Sequence, residues 1–97
     1  MDITILHNVC KDATRKAYSD YKHYIINALF EVNDDLIDIE LRHMRTSIGQ
    51  RINKKYFIDP KYPEQYKLKE KLVNDYIFTA AKYGKRFAKK FKNIDSF

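Results

Sequence analysis

A chain of 97 residues with 44% hydrophobic content is one domain with a modest core, and that content excludes a disordered chain. The net charge of +6 is unevenly placed: residues 1–40 carry four lysines and arginines against eight acids, a balance of −4, and residues 41–97 carry fifteen against five, a balance of +10. No apolar run approaches the roughly 18 residues of a membrane span. The opening MDITILHNVCKD has neither the basic stretch and cleavage site of a secretory signal nor the Arg-rich character of a transit peptide, so neither is expected. The lone Cys10 excludes an intramolecular disulfide and suits a reducing compartment.

Taken in order, Leu6, Cys10, Ala13, Ala17, Tyr21, Tyr24 and Ala28 recur at steps of three and four, widened by Val9, Ile25 and Leu29. That spacing predicts an amphipathic helix over about 4–32, with Asp2 or Thr4 as its cap. The β-branched Ile3-Thr4-Ile5 allows an extended start instead. Asn33-Asp34-Asp35 reads as a corner between helices, because Asx side chains compete for backbone donors and acids suit a helix N-terminus. One bent helix running through Val32 to Leu36 is the alternative.

A second stripe, Ile37, Leu41, Met44, Ile48, Ile52 and Tyr56, predicts a helix over about 35–56. Gly49 sits inside it, where a close crossing or slight kink would use it. Phe57 to Pro63 is a loop: Asp59 precedes Pro60, which disfavours helical geometry, and Pro63 can open the next helix. Tyr66, Val73, Tyr76, Ile77, Ala80, Gly84, Phe87 and Phe91 then predict a helix over about 63–93, with lysines crowding its last turns and a frayed tail beyond. Three long amphipathic segments with short connections give an all-α, antiparallel three-helix bundle in a single domain.

Chemistry is sparse. His7, His23 and His43 lack the i, i+4 pairing of a zinc helix; His7 and Cys10 are one turn apart and make half a metal site at most, so no metal is expected. Two distant glycines exclude a phosphate loop, and the serines lack a nucleophile elbow. The acids around Asp34 read as helix capping. An enzyme is not expected.

Tyr18, Tyr21 and Tyr24 fall within two turns; such rings can stack on nucleic acid, but a half-buried bundle wall is the simpler reading. Gly84 after Ala80 and Ala81 reads first as close helix packing and second as a slot for a thin apolar ligand. The basic residues of the last two helices, Arg42, Arg45, Arg51, Lys54 and Lys55 on the second and Lys82 to Lys92 on the third, exceed what solubility needs. They imply an anionic partner.

The layout resembles the LYR-motif family of small, basic, three-helix mitochondrial adaptor proteins. The family's Leu-Tyr-Arg triplet stands here as Asp20-Tyr21-Lys22, with Asp for Leu and Lys for Arg. Arg45 and Arg51 match its helix-2 arginines, and Tyr56-Phe57 followed by Asp59-Pro60 matches its aromatic and Asp-Pro. The resemblance implies a non-catalytic adaptor in the mitochondrial matrix that docks an acidic acyl carrier protein in iron–sulfur cluster biogenesis or respiratory-complex assembly. It implies that Tyr21, Lys22, Arg42, Arg45, Arg51, Lys54 and Lys55 meet the carrier. The partner-borne acyl-phosphopantetheine would then enter a channel at Ala80, Gly84 and Phe87, with no cofactor bound directly. Two other classes fit the residues: a small basic inhibitor or immunity-type protein in a cytoplasmic setting, and a nucleic-acid-binding module.

Overall fold

The computed structural model describes residues 2–28 and 31–92. Three helices run Ile3–Ala28 (α1), Asp34–Lys55 (α2) and Pro63–Lys92 (α3), and all three pack on one another. The all-α three-helix bundle expected from periodicity is the architecture observed. It is a rod with extents of 54 × 18 × 16 Å. α2 runs against its neighbours, while α1 and α3 run in parallel: His7 meets Tyr76 near one end, and Tyr21 meets Gly84 further along.

Caps decide where the helices begin. The Asp2 carboxylate accepts from the backbone N–H of Thr4 at 2.9 Å and of Ile5 at 3.3 Å, so the β-branched start is helical from Ile3. Asn33 is extended, and its side chain accepts from Leu36 N–H at 2.8 Å. That cap separates α1 from α2 and rules out one bent helix. α1 ends at Ala28 rather than Val32: Glu31 lies in a short 3₁₀ turn, and Val32 is a buried linker residue. The expected core residue Leu29 and the tail from Asn93 lie outside the described residues.

At the other corner α2 ends one residue before the expected Tyr56. The Tyr56 N–H closes the last turn on the Ile52 carbonyl, and its hydroxyl accepts from Asp2 N–H at 3.2 Å, tying the corner to the start of α1. The Asp59 carboxylate caps Lys61 N–H, Ile58 is buried beneath the loop, and Pro63 opens α3.

Leu6, Ile25, Ile48 and Ile52 are fully buried along the axis. Truncating any of them to alanine would cost about 2–5 kcal/mol. Ala13, Ala17, Ala80 and Ala88 are all buried, and α1 and α3 approach closely at Gly84. A Cβ on Gly84 would stand 3.0 Å from the Tyr21 ring and 3.1 Å from Leu41. Close packing is therefore the use of Gly84. Gly49 has nothing within 4 Å of such a Cβ, so no crossing depends on it.

Candidate binding grooves

The bundle offers two long grooves, one on each side of α1. The larger, about 1020 Å³, runs between α1 and α2. Ile5, Val9 and Ala13 form its apolar floor, and Lys16, Arg51, Lys54 and Lys55 line it with positive charge. Arg51 is held in place: its Nε donates to Ser47 Oγ at 3.1 Å, and its guanidinium lies 3.3 Å from the Asp20 carboxylate. Lys16 and Arg15 both bond Asp12, and those hydrogen bonds keep the Asp12 carboxyl below the usual range. Lys54 and Lys55 form none of the ion pairs among the described residues. A smaller, separate pocket of about 400 Å³ between the same helices, nearer Tyr24, has Asp20 and Glu40 among its lining residues.

The second groove, about 450 Å³, lies between the parallel helices α1 and α3. Tyr18, Tyr76 and Tyr83 form its walls, Ala80 its floor, and Lys11 and Arg15 its cations. Among the described residues no acid lines it. Lys22 Nζ sits 5.0 Å from the Tyr18 ring centre, and the Arg86 guanidinium sits 5.9 Å from that of Tyr83. The Tyr76 hydroxyl is fixed by His7 Nδ1 at 3.0 Å, which occupies the histidine considered with Cys10 as half a metal site. Thr14 Oγ1 is buried without a hydrogen-bond partner.

The sequence-predicted partner residues do not share one surface. Tyr21 is in the core, 2% exposed, and its hydroxyl donates to the Gly84 carbonyl at 2.6 Å. Burial pushes its pKa far above the tyrosine norm. It cannot meet a partner from there. Lys22 belongs to the α1/α3 side through Tyr18. On α2, steps of about 100° per residue put Arg51 and Lys54 to one side of buried Ile48 and Arg42 and Arg45 to the other. Only Arg51, Lys54 and Lys55 come together, in the α1/α2 groove. The antiparallel course also sends Lys54 and Lys55 of α2 and the lysines from Lys82 to Lys92 of α3 to opposite ends of the rod. At the α3 end they meet acids: Lys92 pairs with Asp34 at 2.8 Å, and with Lys89 and Lys85 it lowers that carboxyl's pKa.

The three residues assigned to an acyl channel are also separated. Gly84 faces the Tyr21 ring and Leu41, which fill the space a slot would need. Ala80 is the floor of the α1/α3 groove, and Phe87 packs against the core and tilts against Phe91 at 5.1 Å. Tyr24, expected in the core, is 62% exposed, because the buried steps go from Tyr21 directly to Ile25.

Sequence reasoning missed Lys69. Only 4% exposed, it donates from Nζ to Asn53 Oδ1 at 2.7 Å, with the Phe57 ring 6.0 Å away. Burial lowers its pKa, and burial also raises that of the nearby Cys10 thiol. The stripe of α3 passes from Tyr66 to Val73, and the position three after Tyr66 and four before Val73 is Lys69. That gap was the available signal.

Among the described residues no cluster of three or more His, Cys, Asp or Glu could hold a metal ion, and no helix is long and apolar enough to cross a membrane. Fold and grooves together define a small helical bundle with two amphipathic, cation-lined clefts. The chain has no significant match among protein-family models, curated proteins or solved structures.

Proposed function

We propose that the chain is a non-catalytic adaptor that docks an acidic amphipathic helix of a protein partner in the α1/α2 groove. The observation that carries this reading is the groove itself: an apolar floor at Ile5, Val9 and Ala13 beside Lys16, Arg51, Lys54 and Lys55. A helix laid in such a cleft buries its apolar stripe on the floor and turns its carboxylates to the cations. Lys54 and Lys55, which form no ion pair among the described residues, are the residues with charge to offer.

An acyl carrier protein is the partner class that the LYR-like layout implies, with the mitochondrial matrix and iron–sulfur or respiratory-complex assembly as its setting. The docking step stands without the acyl step, because Tyr21 and Leu41 occupy the space before Gly84. An acyl-phosphopantetheine chain would have to displace them.

The test is a titration of labelled acyl carrier protein, holo and acylated, against the wild-type chain and an Arg51→Glu/Lys54→Glu/Lys55→Glu variant. Binding that weakens with salt and falls about tenfold or more in the variant, with helicity unchanged, supports the reading. A carrier that fails to bind at low salt removes the acyl carrier protein as partner. Binding that ignores the three reversals removes this groove as the docking site.

A further inference from the structure

The α1/α3 groove has a different chemistry, and it plays no part in the docking proposed for the other side of α1. Along α1, Lys11 and Tyr18 are seven residues apart; along α3, Tyr76, Tyr83 and Lys90 repeat the same seven. Seven residues are two turns, so each series stays on one side of its helix, with successive members about 10.5 Å apart. Because α1 and α3 are parallel, both series advance in the same direction. The result is a straight track of tyrosines with Lys11 and Arg15 lining it, Lys22 and Arg86 against its rings, and Lys90 placed two turns beyond Tyr83 by the spacing. Among the described residues no acid lines the cavity between Lys11 and Tyr83. Among them, the carboxylate bonded to a bordering cation is that of Asp12, which engages Arg15 and lines the α1/α2 groove.

From this placement we infer that the α1/α3 groove binds single-stranded nucleic acid, with Tyr83 stacking on an unpaired base and the flanking lysines and arginines meeting phosphates. Base stacking needs ring faces that are open but held. Tyr83 meets that need, 54% exposed with Arg86 beside it, whereas Tyr18 is engaged by Tyr21 and Lys22 and serves as a wall of the groove. A backbone of phosphates needs a row of cations rather than a point, and the track from the level of Tyr76 to Lys90 runs for about 21 Å at 1.5 Å per residue. A cavity of about 450 Å³ falls within the roughly 300–1,000 Å³ of ligand sites. Duplex does not suit the groove, because paired bases hide the faces that Tyr83 would take. An anionic membrane would call for a broad apolar stripe, and the exposed large apolar residue at this groove is the single ring of Tyr83.

Fluorescence anisotropy with a labelled oligothymidine or oligouridine of about 15 nucleotides tests the inference on the full chain at low salt. The expected result is saturable binding whose logarithm falls linearly with the logarithm of salt. Tyr83→Ala should weaken it about tenfold, and Tyr83→Phe, which keeps the ring, should match wild type. Arg86→Glu/Lys90→Glu should lower the salt slope by about 0.7 for each phosphate that the variant no longer neutralises. Circular dichroism and melting verify that each variant is folded, which the exposure of Tyr83 favours. No binding of the strand at low salt overturns the inference, as does a Tyr83→Ala variant that binds like wild type. So does equal or tighter binding of a duplex of the same length or of phosphatidylserine-containing vesicles.

Discussion

Tyr21 and Lys69 each bury a polar group in this bundle, and the two are handled in opposite ways. Midway along the rod, the Tyr21 hydroxyl has one donor and places it on the Gly84 carbonyl at 2.6 Å. Near the start of α3, the Lys69 ammonium has three donors, and one bond, to Asn53, is provided. The first site is neutral and satisfied, and its ring fills the space left by a glycine. The second brings a charge out of water for one hydrogen bond and a distant ring face. A buried polar group that is fully paired defines a unique packing, whereas one that is partly paired lowers stability where it sits. On this account the Tyr21–Gly84 junction locks the register of α1 against α3, and the Lys69 end is the looser of the two.

The largest effect should come from breaking the junction outright. Tyr21→Ala removes a buried ring and opens a cavity against Leu41 and Gly84, so unfolding free energy should drop by about 3–5 kcal/mol in a urea titration. A loss under about 1 kcal/mol would show that the ring is not packed as described. Gly84→Ala attacks the same junction from the other side. Its methyl would stand 3.0 Å from a ring that is itself wedged in the core, and the expected loss is about 1–3 kcal/mol from overpacking. If melting is unchanged, α3 has slid outward and the register is not locked there. Tyr21→Phe keeps the ring and deletes only the hydroxyl bond, so about 0.5–1.5 kcal/mol should separate it from wild type. The three variants together apportion the junction between shape and hydrogen bond.

Much of the fold was legible in the sequence because its signals are local. Asn33 and the Asp59-Pro60…Pro63 run mark both corners, and the apolar period marks each buried face. The side of each helix on which a polar residue falls was harder to read, since that depends on the neighbour. Tyr21 and Tyr24 look equivalent on a single helix; the partner helices bury one and leave the other exposed. Lys69 was hidden by its own chemistry, because an apolar-stripe reading passes over a lysine even when the phase points to it. The basic residues are plain in the sequence, yet antiparallel connection parts those of α2 from those of α3. Whether they share one face is not legible in the chain; in the fold they form a groove at Arg51, Lys54 and Lys55 and a separate cluster neutralised in part by Asp34.

The smallest expected effect sharpens the other half of the contrast. Lys69→Met keeps the length and flexibility of the side chain and removes the charge, leaving Asn53 free to bond water from its exposed position. Stability at neutral pH should therefore rise, by about 1 kcal/mol. The pH profile identifies the cause. Burial holds the folded Lys69 pKa below 10.5, so between that lowered value and 10.5 the unfolded chain carries the extra proton. Stability of the wild type must then climb with pH through this window, at no more than about 1.4 kcal/mol per unit, and the full penalty persists below it. The Cys10 thiol and the buried Tyr21 and Tyr18 act the other way. Burial raises each pKa, so stability is lost as pH rises past the ordinary value, 9.0 for the thiol and 10.0 for the phenols, because the unfolded chain then releases its proton first. Both chains share the two tyrosines, so the difference between the two profiles carries the amine together with its charge coupling to the Cys10 thiol. That difference should shrink steadily on the alkaline side; a gap that stays constant with pH would mean that Lys69 destabilises by its shape and not by its charge.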